Sequence, residues 1–289
     1  MSPMLNILVA VTFMSGFGLL LATLLVFANR RFAVYEDPRI DQVEDMLPHA
    51  NCGACGTAGC RVFAELLVAG EIQPGKCTVN SQEMNQQIAN FLGVDLGAGE
   101  KRTARLACAG GSNVARQHGV YQGIDSCRAA TLVSGGGKGC VWGCLGIGDC
   151  AAACDFDAIV MDRQNLPRVN DDKCTACGDC VDICPRDLFS LQPLSHKLWV
   201  ACKNLEKGEA AEAECMVACN GCGRCAMDGP EGMIRIENNL AVIDYSRNAL
   251  ASRVAIERCP TGAIVWLEDG VQKGPNAVKI VRQSALPVE

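Results

Sequence analysis

Residues 173–185, KCTACGDCVDICP, set four cysteines at C-x2-C-x2-C-x3-C with a proline directly after the last. Thiolates are soft, anionic donors suited to iron, and four of them converging from a compact loop and one distant position can hold a four-iron cube. In a run of this form the fourth cysteine crosses to a neighbouring cluster. Cys174, Cys177 and Cys180 therefore need a ligand from elsewhere, expected to be Cys154, while Cys184 completes a partner site. That partner is read in CVWGCLGIGDCAAAC, residues 140–154. Cys144 and Cys150 stand six apart, Ile147 takes the middle position, and Cys140 is available to replace it. The expected pair of clusters is Cys140, Cys144, Cys150 and Cys184, and Cys154, Cys174, Cys177 and Cys180.

Two further groups carry the same chemistry. NCGACGTAGC followed by GKC places Cys52, Cys55, Cys60 and Cys77 at C-x2-C-x4-C-x16-C, with glycines at 53, 56 and 59 that let the chain turn tightly. A structural zinc is the alternative, since zinc also accepts four thiolates. CNGCGRCAMDGP, residues 219–230, has Cys219, Cys222 and Cys225 in cluster spacing but Gly229 where a fourth cysteine is expected. An internal repeat resolves this. At one constant offset along the chain Cys140, Cys144, Cys150, Cys184 and Pro185 recur as Cys215, Cys219, Cys225, Cys259 and Pro260, so Cys259 is the expected fourth ligand. Cys154, Cys174, Cys177 and Cys180 become Gly229, Ala249, Ser252 and Ala255, the coherent loss of one companion cluster. Cys108, Cys127, Cys202 and Cys215 remain unassigned. A fifth cluster is arithmetically possible, but their wide spacing offers no compact loop, and buried free thiols are the default reading.

The elements that must position these residues follow from the intervening sequence. Residues 61–69 and 81–92 read as helices around the first group, and AIVM (158–161), AVI (241–243) and AIVW (263–266) read as short strands flanking the others. GGGKG, residues 135–139, is expected as a hinge; no nucleotide or flavin motif surrounds it. His49, His118 and His196 stand outside ligand spacing, and Trp142, Trp199 and Trp266 read as packing residues. There is no nucleophile–base constellation and no pair of catalytic carboxylates, so no catalytic residue is assigned.

Twenty cysteines in 289 residues, grouped as C-x2-C, point to metal in a reducing compartment rather than to a disulfide scaffold. A net charge of -6 and 5% aromatic content argue against nucleic acid as a partner. Leu5 to Ala28 is almost wholly apolar, and 24 helical residues span about 36 Å, enough for a hydrocarbon core of about 30 Å. A cleaved signal peptide is the alternative, but the basic n-region is missing. Arg30 and Arg31 follow the apolar run, so the positive-inside tendency places the bulk of the chain on the cytoplasmic side of the membrane, with a single N-terminal span.

The fold class expected is α+β: an N-terminal transmembrane helix, a small helical [4Fe–4S] domain, then two ferredoxin-like [4Fe–4S] modules, the second degenerate. The boundaries read from sequence are an anchor at 1–30, the first cluster domain at 31–95, a linker with a helical segment at 96–139, a two-cluster ferredoxin-like domain at 140–190, a one-cluster module at 191–270 and a tail at 271–289. The cofactors expected are three [4Fe–4S] clusters and a fourth at Cys219, Cys222, Cys225 and Cys259, with no flavin or nucleotide.

The order of these motifs, uncharged anchor, NCGACGTAGC with GKC, KGCVWGCLGIGDCAAACDFDAI and KCTACGDCVDICP, resembles the B subunits of the Rnf complexes, the ion-translocating ferredoxin:NAD oxidoreductases of bacterial membranes. The resemblance covers nearly the whole chain. It implies an electron-relay subunit that takes low-potential electrons from soluble ferredoxin and passes them through [4Fe–4S] clusters to other subunits of a membrane complex, coupled to Na⁺ or H⁺ movement. Cys52, Cys55, Cys60 and Cys77 fall on the family's first cluster and the crossed set from Cys140 to Cys184 on its ferredoxin pair. Two departures stand out: Asp155 follows Cys154 where proline is usual, and longer family members carry a complete second ferredoxin pair. A membrane-tethered ferredoxin-like adaptor for another oxidoreductase, without ion pumping, is the alternative.

Overall fold

The computed structural model describes residues 3–32, 36–97, 99–277 and 285–288. Met1 and Ser2 of the anchor, and residues 278–284 and 289 of the tail, lie outside the described residues. The chain begins with helix α1 (Pro3–Phe32), which carries no acidic residue in its first turn and ends on Arg30 and Arg31. Its stretch Leu8–Phe32 is long and apolar enough to cross a membrane, and none of it is buried against the rest of the chain.

A small helical unit follows. The connector after the anchor forms helix α2 (Pro38–Asp45), started by Asp37, whose carboxylate accepts the Arg39 N–H, and by Pro38 in the first turn, where a missing N–H costs nothing. Helix α3 (Cys60–Ala69) lies against it, and helix α4 (Gln82–Leu92) starts at Ser81, whose hydroxyl accepts the Met84 N–H at 3.1 Å. Val43, Phe63, Leu67 and Ile88 are fully buried between the three. Arg61 ties the outer faces together through Glu36, Asp41 and Glu44.

The remainder is two strand-and-helix modules built on one plan. In the first, strand β1 (Arg102–Leu106) leads through helix α5 (Cys127–Leu132), helix α6 (Asp149–Ala152), strands β2 (Ile159–Met161) and β3 (Pro167–Val169), and helix α7 (Asp179–Asp182) to strand β4 (Phe189–Pro193). β2 and β3 form a hairpin, and β4 returns antiparallel to β1, pairing Arg102 with Pro193 and Leu106 with Phe189. The second runs through β5 (Leu198–Val200), α8 (Glu209–Glu214), α9 (Arg224–Asp228), the hairpin β6 (Ile234–Glu237) and β7 (Leu240–Ile243), and α10 (Val254–Glu257) to β8 (Ile264–Leu267) and β9 (Val271–Gln272). There β8 pairs antiparallel with β5 as β4 does with β1, and β9 adds to its other edge. Asp149, Ile159, Asp179 and Phe189, which open α6, β2, α7 and β4, are separated from Arg224, Ile234, Val254 and Ile264, which open α9, β6, α10 and β8, by the distance that separates Cys150 from Cys225. The offset seen in the cysteines is therefore also the offset of the elements.

Two sequence expectations change. Residues 96–139 hold a helical segment, α5, but also the leading strand of the first module, so they are part of that module's sheet and not only a connection to it. GGGKG is not a hinge. The His118 N–H donates to the Gly137 carbonyl at 2.7 Å and the Gly139 N–H to that of Arg116 at 3.1 Å. A Cβ on Gly137 would stand 2.3 Å from the Gly119 carbonyl oxygen, so glycine is there for close approach of two packed segments.

Candidate metal centres

Every cysteine of the chain lines one of five cavities, and each cavity is lined by four. The first lies in the helical unit and is lined by Cys52, Cys55, Cys60 and Cys77, backed by Leu47 and Phe63. Cys60 opens α3, and its N–H donates to the Asn51 side-chain oxygen at 2.8 Å, which folds the glycine-rich loop back onto the helix. The Val79 and Asn80 amides face the Cys77 sulfur. His49 is not among the lining residues.

Two cavities lie in the first module. One is lined by Cys154, Cys174, Cys177 and Cys180, with Ala104, Ala158 and Leu191 around them. Cys180 sits on α7, which starts from Gly178 at φ 107°, a conformation that side-chain-bearing residues rarely adopt, so the loop of Cys174 and Cys177 can turn directly into the helix. The other cavity is lined by Cys127, Cys144, Cys150 and Cys184. The lining differs from the expected grouping: Cys140 is not among the residues that meet Cys144, Cys150 and Cys184 here, and Cys127 is. Asp149, next to Cys150, is the reason: its carboxylate accepts the Cys127 N–H at 2.9 Å and the Ser126 hydroxyl at 3.0 Å, pinning the start of α5 beside α6. Cys127 and Cys202 are also related by the offset of the repeat, which is the signal in the sequence that could have marked it.

The second module holds one cavity, lined by Cys219, Cys222, Cys225 and Cys259. Gly229 lies away from it, against Ile234 and Ala255. The fifth cavity is lined by Cys108, Cys140, Cys202 and Cys215, together with Trp142 and Lys138. Of the remaining expectations, His118 pairs with Glu214 at 2.8 Å and His196 stacks on Tyr245 with ring centroids 4.1 Å apart. Trp199 is buried and donates its indole N–H to the Leu106 carbonyl at 2.9 Å, while Trp266 packs under Arg253.

The donor set fits iron–sulfur clusters better than single ions. Among the described residues, no three Cys, His, Asp or Glu side chains are arranged to hold one metal ion. A structural zinc draws four thiolates to about 2.3 Å from one point, whereas here the four sulfurs of each group are spread around the lining of a cavity. Backbone amides aim at the sulfurs, as the Leu188 N–H does at Cys184 at 3.4 Å, the donor pattern that stabilises and tunes cluster thiolates. Burial pushes the Cys144, Cys150, Cys180 and Cys225 thiols up to about 12. These groups are thus poor thiolates on their own, and metal binding must supply the positive charge that drives their protons off.

Comparison with known proteins agrees. The family described as "Putative Fe-S cluster" matches residues 47–79, and the 4Fe-4S dicluster domain matches residues 142–191. The chain is 38% identical over 262 residues to the B subunit of the Na(+)-translocating ferredoxin:NAD(+) oxidoreductase complex of Acetobacterium woodii, covering 90% of this chain and 78% of that protein. It is 39% identical over 272 residues to the B subunit of the proton-translocating ferredoxin:NAD(+) oxidoreductase complex of Clostridium ljungdahlii, covering 93% of this chain and 95% of that one. It is 36% identical to the B subunit of the ion-translocating oxidoreductase complex of Methanosarcina acetivorans, over 88% of this chain and 96% of the relative. With cysteine-ringed cavities, two iron–sulfur domain matches and relatives that align over most of their length, the chain belongs to the B subunits of the ion-translocating (Rnf) oxidoreductase complexes.

Proposed function

We propose that this chain is the iron–sulfur relay subunit of an ion-translocating ferredoxin:NAD oxidoreductase, accepting electrons from reduced soluble ferredoxin and delivering them to partner subunits whose redox chemistry drives Na⁺ or H⁺ transport. The observation that carries this is the succession of cavities ringed by four cysteines each. Four [4Fe–4S] clusters are assigned: Cys52, Cys55, Cys60 and Cys77; Cys127, Cys144, Cys150 and Cys184; Cys154, Cys174, Cys177 and Cys180; and Cys219, Cys222, Cys225 and Cys259. Bound there, such clusters supply one-electron transfer at low potential.

The residues of the chain hold, insulate and link these sites. Thr78, lining the first cavity, donates its hydroxyl to the carbonyl of Thr175, lining that of Cys154, at 3.0 Å, so the helical unit and the first module are docked at their cysteine sites. Helix α1 anchors the chain to the membrane, and Arg30 and Arg31 hold the cysteine-bearing part on the cytoplasmic side, where soluble ferredoxin is found.

Full-length protein purified anaerobically in detergent is expected to carry at least about sixteen irons, four per cluster, and to give reducible cluster signals in electron paramagnetic resonance. Zinc in place of iron with no reducible signal overturns the relay. Isolation from native membranes should bring polytopic subunits with it, whereas repeated recovery of the chain without them would favour the tethered adaptor.

A further inference from the structure

The four cysteines of the fifth cavity come from widely separated segments. Cys108 lies just past β1 and Cys202 just past β5, the leading strands of the two modules, while Cys140 and Cys215 stand at matching positions of the repeat. Folding brings all four to one cavity, as it brings Cys154, Cys174, Cys177 and Cys180 to theirs. Each module contributes two of them. The segments that carry them are paired as well: the Arg116 N–H donates to the Glu214 carbonyl and the Met216 N–H to that of Val114, both at 2.9 Å, beside the bridge between Ala115 and Cys215.

All four sulfurs receive backbone amides. The Cys144 N–H points to Cys108 at 3.4 Å, the Asn204 and Cys219 N–H groups to Cys202 at 3.4 and 3.2 Å, those of Trp142 and Gly143 to Cys140, and that of Val217 to Cys215. Amides that converge on sulfur are the outer hydrogen bonds that orient metal-bound thiolates, which thiols stored merely as apolar filling do not need. Lys138, only 7% exposed, lines the same cavity and donates its Nζ to the Gly110 and Cys144 carbonyls, both at 2.6 Å, which holds its amino group beside the sulfurs. A Cβ on Gly110 would stand 2.9 Å from the Cys215 sulfur, so the backbone itself forms one wall.

We infer that Cys108, Cys140, Cys202 and Cys215 hold a fifth iron–sulfur cluster, of the four-iron class, at the seam between the two ferredoxin-like modules. Cys144 and Cys219, which donate to its sulfurs, belong to the neighbouring sites on either side. The fifth site thus stands between the Cys127, Cys144, Cys150 and Cys184 site of the first module and the lone site of the second, making one continuous series from the helical unit to the C-terminal module. The repeat also explains how the cysteine became available. The second module has Cys222 where the first has Ile147, so Cys202 need not close its own module's cluster as Cys127 does, and turns to the seam.

The test is a count of iron and inorganic sulfide on the anaerobic full-length protein, by chemical analysis and native mass spectrometry, with Cys108→Ser and Cys202→Ser beside the wild type. The expected wild-type load is about twenty irons rather than about sixteen, and each variant should lose about four with the other cluster signals retained. A wild-type load that saturates at about sixteen with Cys108 and Cys202 open to alkylation overturns the fifth site, as does zinc bound at these cysteines. The wild-type count decides the matter even where a variant does not fold. Failure at this site alone leaves the relay standing; absence of iron from the other four sites as well brings down the relay reading itself.

Discussion

The two ferredoxin-like modules share one plan at one offset, yet among the described residues the first encloses two cysteine-lined cavities of its own and the second only one. What fills the missing position is side-chain volume. Ala158, which lines the cavity of Cys154, Cys174, Cys177 and Cys180, corresponds to Met233, fully buried in a core with Ile234, Ala255 and Ile256. Ala255 stands where Cys180 would be and Gly229 where Cys154 would be. Protein interiors are close-packed, so a cluster and a set of apolar side chains are alternative ways of filling one layer. The second module lacks four cysteines and has one larger side chain in that layer, with the same order of strands and helices.

The largest effect is expected from Cys259→Ser. The second module has a single site of its own, so losing its distant ligand should cost about four irons and lower that module's thermal stability, since its core is built around Cys225 and Cys259. The first module should keep its clusters; iron analysis with spectra of the remaining centres checks both parts. Ala158→Met should act more selectively. It copies the second module's filling into the first without touching any ligand, and about four irons should be lost with all twenty cysteines present. Full iron content in this variant would refute the volume argument.

How much of this is legible in the sequence follows the same division between local and distant information. Cys174, Cys177 and Cys180 are read directly because a compact loop leaves its spacing in the sequence, and Cys259 is read from the repeat. The short strands at 158–161, 241–243 and 263–266 and the helices around Cys60 are legible from alternation and caps, and all fall within a residue or two of their place in the structure. Spacing alone puts Cys140 where the structure has Cys127, because the partners of both come from distant segments. What decides between them is Asp149 holding the start of α5, a contact that nothing in the spacing announces. GGGKG shows the same limit, since glycines that permit close approach and glycines that permit motion look alike until the neighbouring segment is placed.

Met233→Ala tests the comparison from the other side. Removing a fully buried methionine leaves a cavity and should destabilise the second module by about 2–5 kcal/mol, read by denaturant unfolding of the apo form, with the iron content of the loaded protein unchanged. A gain of iron would mean that volume alone had kept a cluster out, against the argument that four thiolates are required as well.

The smallest effect is expected from Gly229→Cys. Gly229 has φ -73° and ψ 169°, so the backbone tolerates a side chain. The surroundings do not: a Cβ would stand 2.9 Å from the Cys225 carbonyl oxygen and 3.0 Å from the Ile234 Cδ1. That carbonyl accepts the N–H of residue 229 at 2.9 Å at the end of α9, so it cannot move aside without loosening the helix that carries Cys225. Overpacking of this kind costs about 1–3 kcal/mol. No iron should be gained, because Ala249, Ser252 and Ala255 still offer no thiolates and Met233 still occupies the space. A restored cluster in this single variant would show that one cysteine, and not the coordinated change of ligands and volume, separates the two modules.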